Sequence, residues 1–342
     1  MKNISRLLII VFALLLTLDV FAGGGNRTGT GGASQLLIPV GPRGIAMGES
    51  NISASYGVES LFWNPAGVAR MNNSTSVMFS HMSHIADIGV EYGAVSTNFE
   101  GFGVVSLSLK SLSIGEILVT TTLDPDGTGA IFSPQMLTAG LTYSRLLTER
   151  ISVGLTANFI TETLGDVNAT GLAFNVGVIY SNLANIDGLS IGIVMKNVGP
   201  QMKYDGSGLL TLAAVQDLNR PPQYYKIESA PFELPSTFEI GLGYESKIDE
   251  ANALQFSGLF INNNFSKDEY KLGAEYGYNN QFFARAGYQM APQFESEDYL
   301  YGLTAGVGVS LDLDGVGLKV DYAYRDTQYF DGNHVFALSL GF

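Results

Sequence analysis

The sequence predicts an all-β protein, a transmembrane antiparallel β-barrel of about 14 strands with a small N-terminal hatch of short helices in its lumen. Three observations carry this. Apolar and small or polar residues alternate in units of about ten to twelve residues from residue 76 onward. Only 15% of residues are charged, against roughly a quarter in an ordinary soluble domain, while Gly, Tyr and Phe are abundant. No apolar run is long enough to cross a bilayer as a helix, which takes roughly 20 residues.

Residues 1–22 read as a secretory leader. Lys2 and Arg6 precede the apolar run Leu7 to Leu18, and Val20-Phe21-Ala22 offers the residues a signal peptidase reads, so cleavage is expected after Ala22 and the destination is the cell outer membrane. Residues 23–75 do not alternate. Gly23 to Gly32 is glycine-rich coil. Beyond it lie Gly41-Pro42-Arg43-Gly44-Ile45-Ala46-Met47-Gly48-Glu49 and Leu61-Phe62-Trp63-Asn64-Pro65-Ala66-Gly67-Val68-Ala69, whose Pro and Gly spacing predicts short helices compact enough to sit inside a barrel.

The barrel is expected over 76–342, with strands at 76–82, 88–98, 101–111, 136–147, 151–161, 170–181, 189–198, 236–247, 251–262, 268–279, 281–290, 300–312, 314–325 and 333–342. In 151–159 every odd position is apolar and the even positions are Ser, Gly, Thr and Asn, as a wall between lipid and lumen requires. Links after even-numbered strands, such as Glu100 and Asn280, are mostly short. Two links after odd-numbered strands, roughly 112–135 and 199–235, are long, so the short turns are expected to face the periplasm and the long loops outward. The run Ile114 to Thr122 inside the first long link predicts a hairpin arm above the membrane. The final strand places Phe336, Leu338, Leu340 and Phe342 on one face and Ala337, Ser339 and Gly341 on the other.

Composition excludes several function classes. Without residues 1–22 the chain keeps 16 basic and 31 acidic residues, so nucleic acid is not an expected partner. The chain has no cysteine, which removes disulfides, thiolate metal sites and the lipoprotein route. His81 and His84 could supply two metal ligands, but no third converges with them, and exposed loop histidines are the simpler reading. Asp124-Pro125-Asp126-Gly127 opens like a calcium loop yet lacks the distal glutamate, so a turn is expected. Gly241 and Gly243 face the lumen by parity rather than forming a phosphate cradle. No nucleophile, base and acid grouping can be argued, so neither enzyme activity nor a cofactor is expected.

Parity points Glu239, Lys271, Glu275, Arg285, Lys319 and Asp321 inward, because Lys or Arg on the lipid face costs about 2–4 kcal/mol at mid-membrane. They either brace the barrel and anchor the hatch or line a translocation path. Bracing is preferred, because charges of alternating sign pair with one another before they attract a solute. Trp63 is read as a packing anchor of the hatch.

From Arg43 through Met47-Gly48-Glu49 to Trp63-Asn64-Pro65-Ala66-Gly67, the chain resembles the start of PorV/PorQ family proteins, relatives of the FadL fatty-acid channels. Lys196-Asn197-Val198-Gly199-Pro200, Leu234-Pro235-Ser236, Leu272-Gly273-Ala274-Glu275-Tyr276, Arg285-Ala286-Gly287-Tyr288 and Val320-Asp321-Tyr322-Ala323-Tyr324 extend the resemblance over almost all of the chain after the leader. Gly44 stands where the family usually carries Ala, a change expected to be too small to matter. The resemblance implies a fourteen-stranded barrel with an N-terminal hatch, a final strand read by the barrel assembly machinery, and a role in type IX secretion. There the protein receives cargo bearing a C-terminal sorting domain and escorts it to other secretion components at the surface. A FadL-like channel for hydrophobic molecules and a purely structural barrel stand as alternatives. Tyr204, Tyr224, Tyr225 and Phe232 in the second long loop are candidate partner contacts, or else pack that loop over the barrel mouth.

Overall fold

The computed structural model describes residues 31–214, 221–292 and 299–342. The expected leader and most of the glycine-rich segment lie outside them. Fourteen antiparallel strands form the barrel: β1 Thr75–Ser83, β2 Gly89–Phe99, β3 Gly103–Ser113, β4 Gln135–Leu146, β5 Ile151–Leu164, β6 Val167–Ser181, β7 Leu189–Val198, β8 Thr237–Lys247, β9 Asn252–Asn263, β10 Glu269–Tyr278, β11 Phe282–Met290, β12 Tyr301–Leu313, β13 Val316–Thr327 and β14 Asn333–Gly341. Each strand pairs with its sequence neighbours, and β1 pairs with β14 from Ser76↔Gly341 to Ser83↔His334. Closure leaves the sheet without a free edge, which a membrane demands of strands.

Two connections at the short-turn end show why the register holds. Asn279 and Asn280 both adopt left-handed backbone, as do Asp314 and Gly315, and this is the geometry of the hairpin turn whose twist matches its strands. At the other end, 114–134 carries a small hairpin in which Ile117–Leu118 pairs with Ile131–Phe132, and Asp124 and Gly127 close a turn. The run Ile114 to Thr122 therefore adds no strand to the wall. In the link between β7 and β8, Leu210–Ala213 pairs with Gln223–Lys226, and Tyr204–Gly206 adds to the upper part of β6.

The alternation sorts lipid from lumen. On β5, Ser152, Gly154, Thr156, Asn158, Ile160 and Glu162 are buried, while Leu155 and Phe159 are exposed on the outer face. Phe336, Leu338 and Phe342 are likewise exposed. The rule against outer-face charge has an exception close to the long-loop end. His81 is a strand residue rather than a loop residue, and its ring pairs across the outer face of β1 and β2 with Glu91 at 2.6 Å. Each partner partly satisfies the other there.

The seam between β1 and β14 is completed by Phe342, whose backbone N–H donates to Thr75 O at 2.8 Å and whose carbonyl accepts from Ser74 and Thr75. Deleting Phe342 removes these closing bonds and one outer-face aromatic ring. The expected result is a marked drop in folded, heat-modifiable protein in the outer membrane, read on unheated gels. Normal levels with normal mobility would mean that the final residue is dispensable for closure.

Residues 33–74 thread through the lumen as short helical turns. Pro42–Ala46 touches β11 to β14, Asn51–Ser53 touches β7 to β9, and Pro65–Arg70 touches β3 to β6. Ile45, Ile52, Leu61, Trp63 and Val68 pack with Met78, Met82, Val90, Val194 and Val335 into one apolar core, so this plug is the hydrophobic centre of the molecule.

Candidate functional site

The plug is held where two of its sequence signatures meet the wall. In Trp63-Asn64-Pro65-Ala66-Gly67, the Asn64 side-chain oxygen accepts from the Ala66 N–H at 3.0 Å and caps the turn Pro65–Arg70, while Pro65 takes a position that needs no donor. The Asn64 amide donates to Ile52 O at 2.9 Å within the plug and to Val178 O at 3.3 Å on β6. One side chain thus fixes the helical turn, the preceding loop and the wall. Trp63 is 2% exposed and lies edge-on to Phe62, 5.0 Å between ring centres.

The second signature, Met47-Gly48-Glu49, relies on a close backbone approach. Gly48 has φ of 63°, and a Cβ there would stand 2.6 Å from Leu272 O and 2.8 Å from Tyr288 N. Lumen-facing strand glycines answer it: a Cβ at Gly287 would stand 2.1 Å from Gly48 N and one at Gly273 would stand 2.2 Å from Met47 O, while Gly192, Gly241 and Gly243 make the same room for Ile52 and Ser53. Gly48→Ala is expected to unseat this part of the plug at a cost of about 1–3 kcal/mol, seen as faster proteolysis of residues 40–60. Unchanged protease resistance would contradict the close approach. The expectation that Ala in place of Gly44 is immaterial fails, because a Cβ there would overlap the Trp63 indole, which would have to move.

Charges complete the attachment. Arg43 reaches Glu275 through Nε and Nη2, each at 2.9 Å, and donates to Gln255 at 3.0 Å. Glu275 also accepts from Arg285, which bonds Asp321 at 2.6 Å, and Lys319 lies 3.3 Å from the same Asp321. Five charges, one of them from the plug, therefore alternate in sign across β10, β11 and β13. Glu49 makes the other chain, accepting from Lys271 and Arg325, each at 2.7 Å, and Lys271 lies 3.0 Å from Glu269. Arg325 is 1% exposed, donates to Asn333 at 2.7 Å and stacks over Tyr301.

Arg43 and Glu49 are both set by these partners. Burial alone would lower the Arg43 guanidinium, but Glu275 outweighs it and holds the group well above its ordinary value. Burial alone would raise the Glu49 carboxyl, but Lys271 and Arg325 hold it down at about 2. Nearby, burial with the help of Arg325 pushes His84 down to about 4, so its neutral ring accepts from Arg325 Nη2 at 3.5 Å. Among the described residues no group of three or more His, Cys, Asp or Glu could hold a metal ion.

Of the six charges pointed inward by parity, Lys271, Glu275, Arg285, Lys319 and Asp321 join the two chains just described. Glu239 does not. It sits apart with Lys196 at 3.0 Å, beside Thr237. Arg325, Lys110 and Lys196 were missed, although the same parity reveals them: Arg325 shares a face with Asp321, and Lys110 with Ser106 and Ser108.

The loop between β7 and β8 divides its four candidate aromatics. Tyr204 stacks on Phe232 at 5.3 Å and its hydroxyl donates to Glu162. These two rings pack with Met202, Leu234, Leu36 and Ile160 over the plug. Tyr224 and Tyr225 instead present their rings outward on the two-stranded arm, together with Leu210, Leu212 and Ile227. The first long loop exposes Ile117, Leu118, Leu123 and Ile131. Among the described residues, three cavities in the lumen measure only about 40, 90 and 220 Å³.

The fold is that of FadL-like barrels. The Pseudomonas putida toluene transporter TodX aligns with 89% of this chain and 98% of its own at 13% identity, TM-score 0.56. CymD, a monoaromatic hydrocarbon channel, covers 90% and 98% at 14% identity, TM-score 0.55. A Pseudomonas aeruginosa FadL homologue covers 89% and 98% at 12% identity, TM-score 0.51. No curated protein matches the sequence. Residues 22–216 match the family described as Type IX secretion system protein PorV. That match takes in the plug and half the wall, more than half of the chain, and the protein is an outer-membrane β-barrel belonging to the PorV family.

Proposed function

We propose that this barrel is a non-enzymatic carrier of type IX secretion cargo, receiving proteins with a C-terminal sorting domain at its long-loop end and passing them to surface components of that system. The observation that carries the reading is a contrast within one molecule. The lumen is packed by a plug bonded to the wall by charge, while both long loops hold large apolar side chains in solvent, Leu123 at 89% and Tyr224 at 72% exposure. Apolar groups clustered on loops suit a protein partner, and aromatic residues are enriched where such partners bury surface.

A FadL-like channel is favoured by one observation, the shared fold with hydrocarbon channels. The two readings separate in a strain lacking the gene. The carrier reading expects sorting-domain proteins to accumulate in the periplasm with uptake of long-chain fatty acids unchanged. Normal secretion with impaired uptake of a hydrophobic compound would overturn it and promote the channel.

A further inference from the structure

We propose that the lumen cavity between Lys110 and Lys196 is a binding site for a small inorganic anion of chloride size, held between plug and wall. Lys110, on β3, is 5% exposed, and its ammonium donates to two plug carbonyls, Gln35 O at 2.7 Å and Ile38 O at 3.0 Å. An ammonium carries three N–H donors, and the third meets no hydrogen-bond acceptor among the described residues, only the face of the Phe62 ring. No carboxylate pairs with Lys110 among them either. The other buried cations of the lumen are neutralised: Arg43 and Arg285 by Glu275, Lys271 and Arg325 by Glu49, and Lys196 by Glu239. An unpaired buried charge is costly, and a counterion in the adjoining space would relieve that cost.

The space to hold one lies beside it. A cavity of about 40 Å³ is lined by Lys110, Lys196, Thr138, Thr156, Asn158 and Asn175, with no acid in its wall. Both ammoniums stand over the Phe62 ring, at 4.9 and 5.2 Å from its centre. The Thr138 hydroxyl is buried without a hydrogen-bond partner. The Lys110 ammonium, a free hydroxyl and side-chain amides, with Lys196 alongside in its pair with Glu239, make a donor set suited to a compact anion, and the volume exceeds the ~10–15 Å³ that a single water needs. Because Lys110 grips the plug through Gln35 and Ile38, an anion here would lock the start of the plug to β3 and β7.

The full-length protein in detergent, exchanged into potassium gluconate and titrated with potassium chloride at constant ionic strength, tests this. Chloride and bromide are expected to raise the melting temperature by a few degrees and to saturate, as binding to the folded state alone requires. Bromide in crystals should give an anomalous peak inside the cavity. Lys110→Met should abolish the saturable response, and Lys319→Met, outside the cavity, should keep it. If Lys110→Met does not assemble, Thr138→Val is expected to shift the chloride midpoint to higher concentration. Equal melting temperatures in chloride and gluconate, or a cavity containing only water in the bromide crystals, would overturn the proposal.

Discussion

Arg285→Leu is expected to destabilise the assembled barrel by about 3 kcal/mol or more. The Arg285 side chain is fully buried and bridges Glu275 to Asp321 across β10, β11 and β13. Without it Asp321 keeps only Lys319 at 3.3 Å, and Glu275 keeps only the plug's Arg43. The penalty comes from a carboxylate stranded in the wall rather than from the bond itself. Arg285→Leu combined with Asp321→Leu should therefore recover part of the loss, read as the temperature or urea concentration at which the folded band disappears from gels. A strictly additive double variant would mean that the two groups do not couple.

The second large effect is functional. Replacing Leu212, Tyr224, Tyr225 and Ile227 together by serine should lower surface delivery of sorting-domain proteins by about tenfold or more, since a few aromatic and apolar anchors dominate most interfaces. Barrel assembly should be unaffected, because these side chains lie on the arm and are exposed. Removing the whole of 200–235 is the wrong test: Met202, Tyr204, Phe232 and Leu234 pack over the plug, and Tyr204–Gly206 pairs with β6. Wild-type secretion by the fourfold variant would move the contact surface to the first long loop, around Leu118 and Leu123.

The barrel was legible because a strand between lipid and lumen writes its period into every residue. Ile151 to Phe159 alternates without exception, and all fourteen expected ranges match strands with ends shifted by no more than three residues. Parity also placed Arg285, Glu275 and Asp321 on one face. It could not say which charge meets which, since pairing depends on where the plug inserts its own: Arg43 enters one chain, Glu49 the other, and Glu239 stands apart with Lys196. The plug was legible only as short turns broken at Pro and Gly. That Gly48 must lack a Cβ, and that Gly44 faces the Trp63 indole, are facts of close approach between segments distant in sequence, on which local pattern is silent. The division of the loop aromatics was hidden for the same reason: Tyr204 and Tyr225 look alike until the burial of Met202 draws one end of the loop inward.

Photo-crosslinking from position 224 in living cells tests whether cargo is received on the outer loops of a plugged barrel. With a photoreactive residue replacing Tyr224, a covalent adduct is expected between the barrel and a sorting-domain protein, and none from a probe at the outward wall position of Leu155. A secretion-competent barrel that gives no cargo adduct from position 224, or equal adducts from both positions, would contradict it.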